Sequence, residues 1–311
     1  MSVKNNISLV IPVYNEAKHL TQLNEKIVNE LKKITSKYQI IYVDDGSNDR
    51  SLELIKKFSN LNNNIYYISF TKNFGQHAAI MAGFSIVTGE YVFTIDSDLQ
   101  NPPEELSKLY NNLINSNYDI VTGVRSKRKD NFYRKFSSYL MNKVISYITK
   151  VKLKDYGCMM RVYKLEIIKL LLKYGEKSVY IPAYSSWITN KILEVNIEHN
   201  SRYQTKSKYS FFKLINQVFD LITAYTLLPI RAISFIGITI FFAGIFLFLY
   251  LMYYRIILGT NDPLTSFVAI LLLVSGITIL SLGIISEYML RIYKEVRAMP
   301  TYIIKDSNIT K

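Results

Sequence analysis

The chain has 311 residues, room for one large α/β domain with an appendage or for two modest domains. Its formal charge of +14 admits an anionic partner, nucleic acid or a membrane rich in anionic lipid, while its single cysteine, Cys158, excludes an internal disulfide framework and a cysteine-based zinc site. Hydrophobic residues make up 49% and mean hydropathy is +0.10, averages that hide an asymmetry: the chain is charge-rich to about Asn200 and nearly charge-free from Ala232 to Ser286.

The first apolar run, Ile7 to Ile11, is too short for a secretory h-region and is followed by Pro12, so the N-terminal part is expected to stay in the cytosol. Strands are predicted over 7–13, 40–43, 65–70, 91–95 and 119–124, alternating with helices over 17–34, 49–58, 76–87 and 103–115. That alternation predicts a largely parallel sheet covered on both faces, in which ligands collect at the carboxyl ends of the strands. Polar clusters fall at those ends: Tyr14-Asn15-Glu16, Asp44-Asp45-Gly46-Ser47 and Asp96-Ser97-Asp98. No GxGxxG, no GxxxxGK[ST] and no Gly-x-Ser-x-Gly elbow is present, and His19, His77 and His199 lack metal-ligand spacing.

Carboxylate chemistry is what remains. Asp96 and Asp98 stand two apart, so a strand continuing through them points both the same way, and Gln100 follows at the same interval. Two carboxylates and an amide oxygen make a hard-oxygen site suited to Mg²⁺ or Mn²⁺ that also takes a diphosphate. Taken alone, Asp-x-Asp also fits an ordinary surface loop; its place between an apolar strand and the helix-starting Pro102-Pro103-Glu104-Glu105 favours a site. Asp44 or Asp45 can accept from a base N–H or a ribose hydroxyl, whereas Ser47, Asn48 and Asp49 read as turn and helix-capping residues.

Two basic amphipathic segments follow. One carries Phe132, Phe136, Tyr139, Leu140, Val144 and Ile148, the other Phe211, Phe212, Leu214, Ile215, Val218, Phe219 and Ile222. Each fits a helix lying on an anionic bilayer or one packed on the catalytic domain, and the second is favoured as interfacial by its nearness to the apolar region. Residues 232–254 and 264–286 carry no charge, and each run is long enough, at roughly 34 Å as helix, to cross a hydrocarbon core of about 30 Å. The short linker 255–263 makes them an antiparallel hairpin. Only Arg255 lies in that linker, against Arg231 before and Arg291, Lys294, Arg297 and Lys305 after, so both termini are predicted cytosolic. The expected organisation is a catalytic domain at 1–209, an interfacial helix at 210–231, the two spans within 232–290, and a cytosolic tail at 291–311.

With these elements in place, the chain resembles the family 2 glycosyltransferases with the A-type nucleotide-sugar fold, Rossmann-like in plan. The resemblance rests on Ile11-Pro12-Val13-Tyr14-Asn15-Glu16, Val43-Asp44-Asp45-Gly46-Ser47 and Asp96-Ser97-Asp98-Leu99-Gln100, in order and on the expected elements. Within the family it is similar to the polyprenyl-phosphate glycosyltransferases, on the segments Asn73 to Phe84, Asp98 to Glu105 and Asp155-Tyr156-Gly157-Cys158-Met159-Met160-Arg161. The resemblance implies a nucleotide-sugar donor, UDP-linked, and a polyprenyl (undecaprenyl) phosphate acceptor at the inner membrane of a bacterium, for envelope modification. It implies that Pro12, Tyr14, Glu16, Asp44, Asp45 and Asp96 hold the nucleotide, and that Asp96, Asp98 and Gln100 bind the metal. Arg202 and Lys208 would close on the diphosphate, and Arg125, Arg134 and Ser138 would grip the acceptor phosphate. Asp155 would orient the sugar or act as a base, and His77, with its segment Gln76-His77-Ala78, would touch the sugar or pack at a helix start. A homotetramer is also implied.

Two departures stand out. Ser97 occupies a position where alanine is usual, and the loop from Arg202 to Tyr209 lacks the glycine often found before its Ser-Lys. A processive polysaccharide synthase would carry Gln-x-x-Arg-Trp, yet the one tryptophan, Trp187, stands in Ser186-Trp187-Ile188. A degenerate transferase serving as a membrane scaffold would not need Asp96, Asp98 and Gln100. No nucleic-acid recognition motif accompanies the positive charge, so no nucleic-acid partner is expected.

Overall fold

The computed structural model describes residues 6–125, 151–174, 180–198 and 300–309, with single positions at 143 and 146 and between 246 and 296. Met1–Leu214 and Pro300–Lys311 together form one compact unit, and Ile215–Met299 a second. The first unit is built on eight strands: β1 (Ile7–Val13), β2 (Tyr38–Asp44), β3 (Ile65–Phe70), β4 (Tyr91–Thr94), β5 (Ile120–Arg125), β6 (Arg161–Lys164), β7 (Ile192–Ile197) and β8 (Ile304–Ser307). Its described helices are α1 (Ala17–Ile34), α2 (Ser51–Leu61), α3 (Gln76–Phe84), α4 (Leu106–Ile114), α5 (Leu165–Tyr174) and α6 (Ile181–Ile188).

The strands form one sheet in the order β7-β5-β6-β4-β1-β2-β3-β8. Its centre is parallel, as the alternation predicts, with β1 between β2 and β4 and β3 beyond β2. The sheet as a whole is mixed, because β6 runs antiparallel between β4 and β5, and β8 runs antiparallel along β3. Pattern reading misses β6 because it is four residues long and opens on a charged residue, Arg161. It misses β8 because Ile-Lys-Asp-Ser alternates weakly on an edge.

Strand β1 is buried along its whole length because helices cover both of its faces. Ile7, Leu9, Ile11 and Val13 belong to the core shared with Leu20, Leu23, Ile27 and Leu31 of α1. Those four α1 residues repeat at helical spacing, and each contributes about 1.5–3 kcal/mol by leaving water. Lys32 and Lys33 in the last turn complement the negative end of the helix dipole. On the other face α3 packs so closely that a side chain on Gly83 would run into Val10. This helix is apolar nearly all round, with Ala79, Ile80, Ala82 and Phe84 buried, as suits an element covered on several sides.

The tail beyond the apolar region returns to this sheet. Tyr302 stacks on Phe70 with ring centroids 5.0 Å apart, and Asp306 pairs with Lys56 at 2.5 Å and accepts from the Tyr67 hydroxyl at 3.2 Å. The Asn308 amide accepts from the Tyr67 N–H at 2.7 Å and donates to Ser59 Oγ at 2.9 Å. In the second unit, described helical positions such as Phe246, Leu249, Ile256, Phe267, Val274, Leu282 and Ile285 are exposed apolar side chains. Among the described residues no helix is long and apolar enough to cross a membrane, and the spans expected at 232–254 and 264–286 lie chiefly outside those residues.

Candidate active site

The carboxyl ends of β1, β2, β3 and β4 meet at one edge of the sheet, and the loops that follow them are tied together. Backbone of even-numbered β1 residues faces β4, since the Val10 carbonyl accepts the Ile95 N–H at 3.3 Å. Pro12 is the next such residue and has no N–H to give, and the β1–β4 ladder ends at Val10 and Thr94. Meanwhile β1 continues against β2 through Val13 and Asp44. The two strands therefore part at Pro12, the kind of place where a sheet of this type leaves a crevice between neighbouring loops. Tyr14 stands 40% exposed just beyond that point, and Glu16 is half-buried at the start of α1.

Asn15 takes a left-handed backbone (φ 56), a conformation that asparagine tolerates, and bridges to the β2 loop. Its N–H donates to Ser47 Oγ at 3.0 Å, and its Oδ1 accepts the Asn48 N–H at 2.8 Å. Asp49 accepts the Ala17 and Ser51 N–H groups at 3.1 and 2.9 Å. Burial works against the charge on this carboxylate, but those bonds, with the Ser51 hydroxyl, hold its pKa below 3.8.

Asp44 and Asp45 are both buried, and both serve the frame. The Asp44 oxygens accept from the Ser47 N–H at 3.2 Å and from Ser69 Oγ at 2.8 Å. Those of Asp45 accept the N–H groups of Phe74 and Gly75 at 2.6 and 2.9 Å, fixing the turn into α3. Burial pushes the Asp45 carboxyl above its usual range against the pull of these two donors. Gly46 lets the loops close: a Cβ there would lie 2.5 Å from the Lys72 carbonyl carbon, and its φ of +69 suits glycine.

Asp96 and Asp98 follow β4, but not as an extension of the strand. β4 stops at Thr94, and the pair sits in a turn whose next residue, Leu99, is left-handed at φ 58. Ser97 between them is buried while both carboxylates are half-exposed, and a turn stands where a continued strand was expected. Gln76, the first residue of α3, donates from Nε2 to Asp96 at 2.5 Å, and the Gln100 N–H donates to Asp98 at 3.2 Å. Among the described residues no group of three His, Cys, Asp or Glu gathers as a metal cage. Two carboxylates and an amide on an open turn fit Mg²⁺ or Mn²⁺ of the kind that takes its other ligands from phosphate and water.

Arg125 and Asp155, assigned to separate tasks from sequence, are one unit. The guanidinium at the end of β5 donates from Nε and an Nη to the two oxygens of buried Asp155, at 2.7 and 2.8 Å. Burial opposes the charge on Arg125, but Asp155 outweighs it, with smaller help from Cys158 and Asp96, and its pKa rises. Because β6 runs antiparallel between them, β4 and β5 end at the same edge of the sheet, so this pair shares that edge with the β4 turn. The Cys158 thiol is buried and pushed up to about 12, so it is inert. Arg134, Ser138, Arg202 and Lys208, like the amphipathic segment 211–222, lie outside the described residues, as does nearly all of 132–148.

His77 is half-buried against Tyr180, ring centroids 5.0 Å apart, with its pKa lowered to about 4 by burial and by Arg161. Its ring meets Tyr180 at the start of α3, and its Nδ1 finds no hydrogen-bond partner among the described residues. Gln76, expected with His77 and Ala78 to touch the sugar or pack at a helix start, bonds Asp96 instead, and Arg161 is a functional candidate that sequence reading did not single out, although it lies in a segment carrying the family resemblance.

Residues 8–172 match the profile described as Glycosyl transferase family 2. The undecaprenyl-phosphate 4-deoxy-4-formamido-L-arabinose transferase of Proteus mirabilis (strain HI4320) is 39% identical over 305 residues, 97% of this chain and 93% of that one. The enzyme of the same name from Pectobacterium atrosepticum is 40% identical over 304 residues, 96% of this chain and 93% of that one. Among solved structures, glucosyl-3-phosphoglycerate synthase from Mycobacterium tuberculosis, in complex with Mn²⁺, UDP and glucosyl-3-phosphoglycerate, superposes with a TM-score of 0.53. Its identity is 16%, and the match covers 71% of this chain and 80% of that one, a likeness of fold. Mannosyl-3-phosphoglycerate synthase from Rubrobacter xylanophilus gives a TM-score of 0.52 at 13% identity, over 71% and 72% of the two chains. The fold is the A-type expected from sequence, and the chain belongs to the family 2 glycosyltransferases.

Proposed function

We propose that the protein transfers a sugar from a UDP-linked donor to undecaprenyl phosphate at the cytosolic face of a bacterial membrane, with inversion at the sugar C1. The observation that carries this reading is that the half-exposed Asp96–Asp98 turn and the Arg125–Asp155 ion pair stand at the same edge of the sheet. One side suits a metal-bound diphosphate, the other an anionic acceptor. The names of the relatives supply the acceptor class and put 4-deoxy-4-formamido-L-arabinose first among donor sugars to try.

Asp96 and Asp98, with Gln100, would hold Mg²⁺ or Mn²⁺, whose charge there neutralises the leaving diphosphate. Gln76 orients Asp96 for that task, and the crevice beside Pro12, Tyr14 and Glu16 takes the nucleotide. Arg202 and Lys208 would close on the diphosphate from the loop before the apolar region. An oxygen of the acceptor phosphate forms the new bond to C1 as the C1–O bond to the diphosphate breaks, and UDP leaves with the electron pair. That phosphate is anionic near neutral pH, so no strong base is required. Asp155, buried with both oxygens on Arg125, is suited to holding the arginine rather than to taking a proton. Arg125 would face the acceptor together with Arg134 and Ser138.

Two features support the membrane reading. Exposed apolar side chains crowd the described helical positions between 246 and 296, a surface suited to lipid. The chain also leaves the catalytic unit at Leu214 and re-enters it at Pro300, with β8 in the same sheet, so any crossings between them are even in number. A two-span hairpin with both ends in the cytosol satisfies that condition. The test is a donor screen: purified full chain, undecaprenyl phosphate, Mn²⁺ and a panel of UDP-sugars led by UDP-4-deoxy-4-formamido-L-arabinose, with products identified by mass spectrometry. A lipid-linked monosaccharide is expected, and its absence with every donor would overturn the reading.

A further inference from the structure

Among the described residues Arg161 is the largest fully buried side chain, at 0% exposure. It opens β6 in mid-sheet, with Thr94 of β4 and Thr122 of β5 directly across. Among the described residues no carboxylate pairs with it. Its Nε donates to the Cys158 carbonyl at 2.8 Å and one Nη to the Tyr156 carbonyl at 3.1 Å. The other Nη finds no acceptor among the described residues. A buried charge held by two peptide carbonyls, without an acid, is costly. What it holds is the turn that carries Asp155.

That turn is short and fully specified. Asp155 grips Arg125 with both oxygens, and one of them also accepts the Gly157 N–H at 3.1 Å. The next carbonyl, of Tyr156, takes the Arg161 guanidinium and also the Tyr180 hydroxyl at 3.1 Å. The carbonyl of Cys158 takes the other edge of the same planar group. A guanidinium presents donors in a fixed fork, so two carbonyls bound to it cannot shift independently. We infer that Arg161 is a positioning residue: it clamps the 155–158 turn through the Tyr156 and Cys158 carbonyls and so sets Asp155, and through it Arg125, at the acceptor side of the site.

The inference rests on the proposed transfer reaction. The test uses Arg161→Lys in the full chain, with undecaprenyl phosphate and UDP-4-deoxy-4-formamido-L-arabinose as probes and the active fraction counted by UDP titration. Lysine keeps the charge and loses the fork. The expected result is a fall of about 10–100-fold in kcat/KM for the lipid, of the size a misplacement near 1 Å produces, with KM for the sugar nucleotide within about 2-fold. The Asp155→Asn background decides the route: Arg161→Lys should add less than about 2-fold there, because the clamp has nothing left to position. Tyr180→Phe, which removes only the second donor to the Tyr156 carbonyl, should lower the same parameter by roughly 3-fold. It carries the same cycle if Arg161→Lys does not fold. Multiplicative losses in the double variants, equal effects on both substrates, or turnover at the wild-type level would each overturn the inference. A wild-type protein inactive with these probes would count against the reaction itself.

Discussion

Two aspartate pairs stand at the carboxyl edge of the sheet, one after β2 and one after β4, and they are built for different work. Asp44 and Asp45 are buried, and each of their four oxygens receives a donor from the loops or, at Ser69, from β3. Asp96 and Asp98 are half-exposed, on a turn bent by a left-handed leucine, with Gln76 steadying one of them. Adjacent carboxylates on a strand that is covered on both faces bind the frame. Carboxylates two apart, with a buried serine between them, face outward together. The first pair braces the loops, and the second is the one proposed to meet metal and diphosphate.

The largest effect should come from the exposed pair. Asp98→Ala is expected to lower transfer by about 10³-fold or more, with unfolding free energy within about 0.5 kcal/mol of wild type. EDTA on the wild-type protein should mimic it and Mn²⁺ should restore the wild type alone. Full turnover by purified Asp98→Ala would erase the distinction between the pairs. Asp45→Ala should do the reverse, because it strands the Phe74 and Gly75 N–H groups. A loss of about 1–3 kcal/mol in urea unfolding is expected, and an unchanged midpoint would show that those bonds hold nothing.

Gln76→Leu sharpens the contrast further. It removes the donor that steadies Asp96 and should raise the Mn²⁺ concentration for half-maximal activity by about tenfold, with little change in stability. The smallest effect concerns acid stability at the β1–β2 bridge. The folded-state pKa of Asp49 is depressed, so its contribution is present above 3.8 and is lost as pH falls through the folded value. Asp49→Asn should therefore flatten the acid limb of stability below about pH 4, read by urea unfolding at stepped pH. A limb as steep as that of wild type would remove Asp49 from the account.

Much of this architecture is legible in the sequence. β1, β3 and α1 fall at the residues where the pattern puts them, because each is an apolar run or stripe closed by turn-forming residues. The carboxylates of the crevice are legible for the same reason: they follow those runs. What pattern reading cannot reach is pairing over distance. Arg125 and Asp155 are 30 residues apart and meet because β6 inserts antiparallel between β4 and β5. β6 itself is hidden by the charge that opens it, since a buried arginine breaks the rule that inward positions are apolar. Asp44 and Asp45 share one motif, and only burial and partners show that both are committed to the loops.

Strand β8 bears on how the protein is made. Its contacts with β3 join residues about 240 positions apart, for instance Tyr67 and Asn308. A ribosome adding about 5–20 residues per second needs roughly 12–48 s to pass from one to the other. Throughout that interval the edge of β3 has no partner from β8, while the apolar stretch from 232 to 286 emerges and requires a destination. The sheet of the enzyme is thus completed last, after the greasiest part of the chain has been synthesised. Messages truncated before codon 304 would yield a transferase with every crevice carboxylate present and one raw sheet edge, a species prone to pair with its own kind.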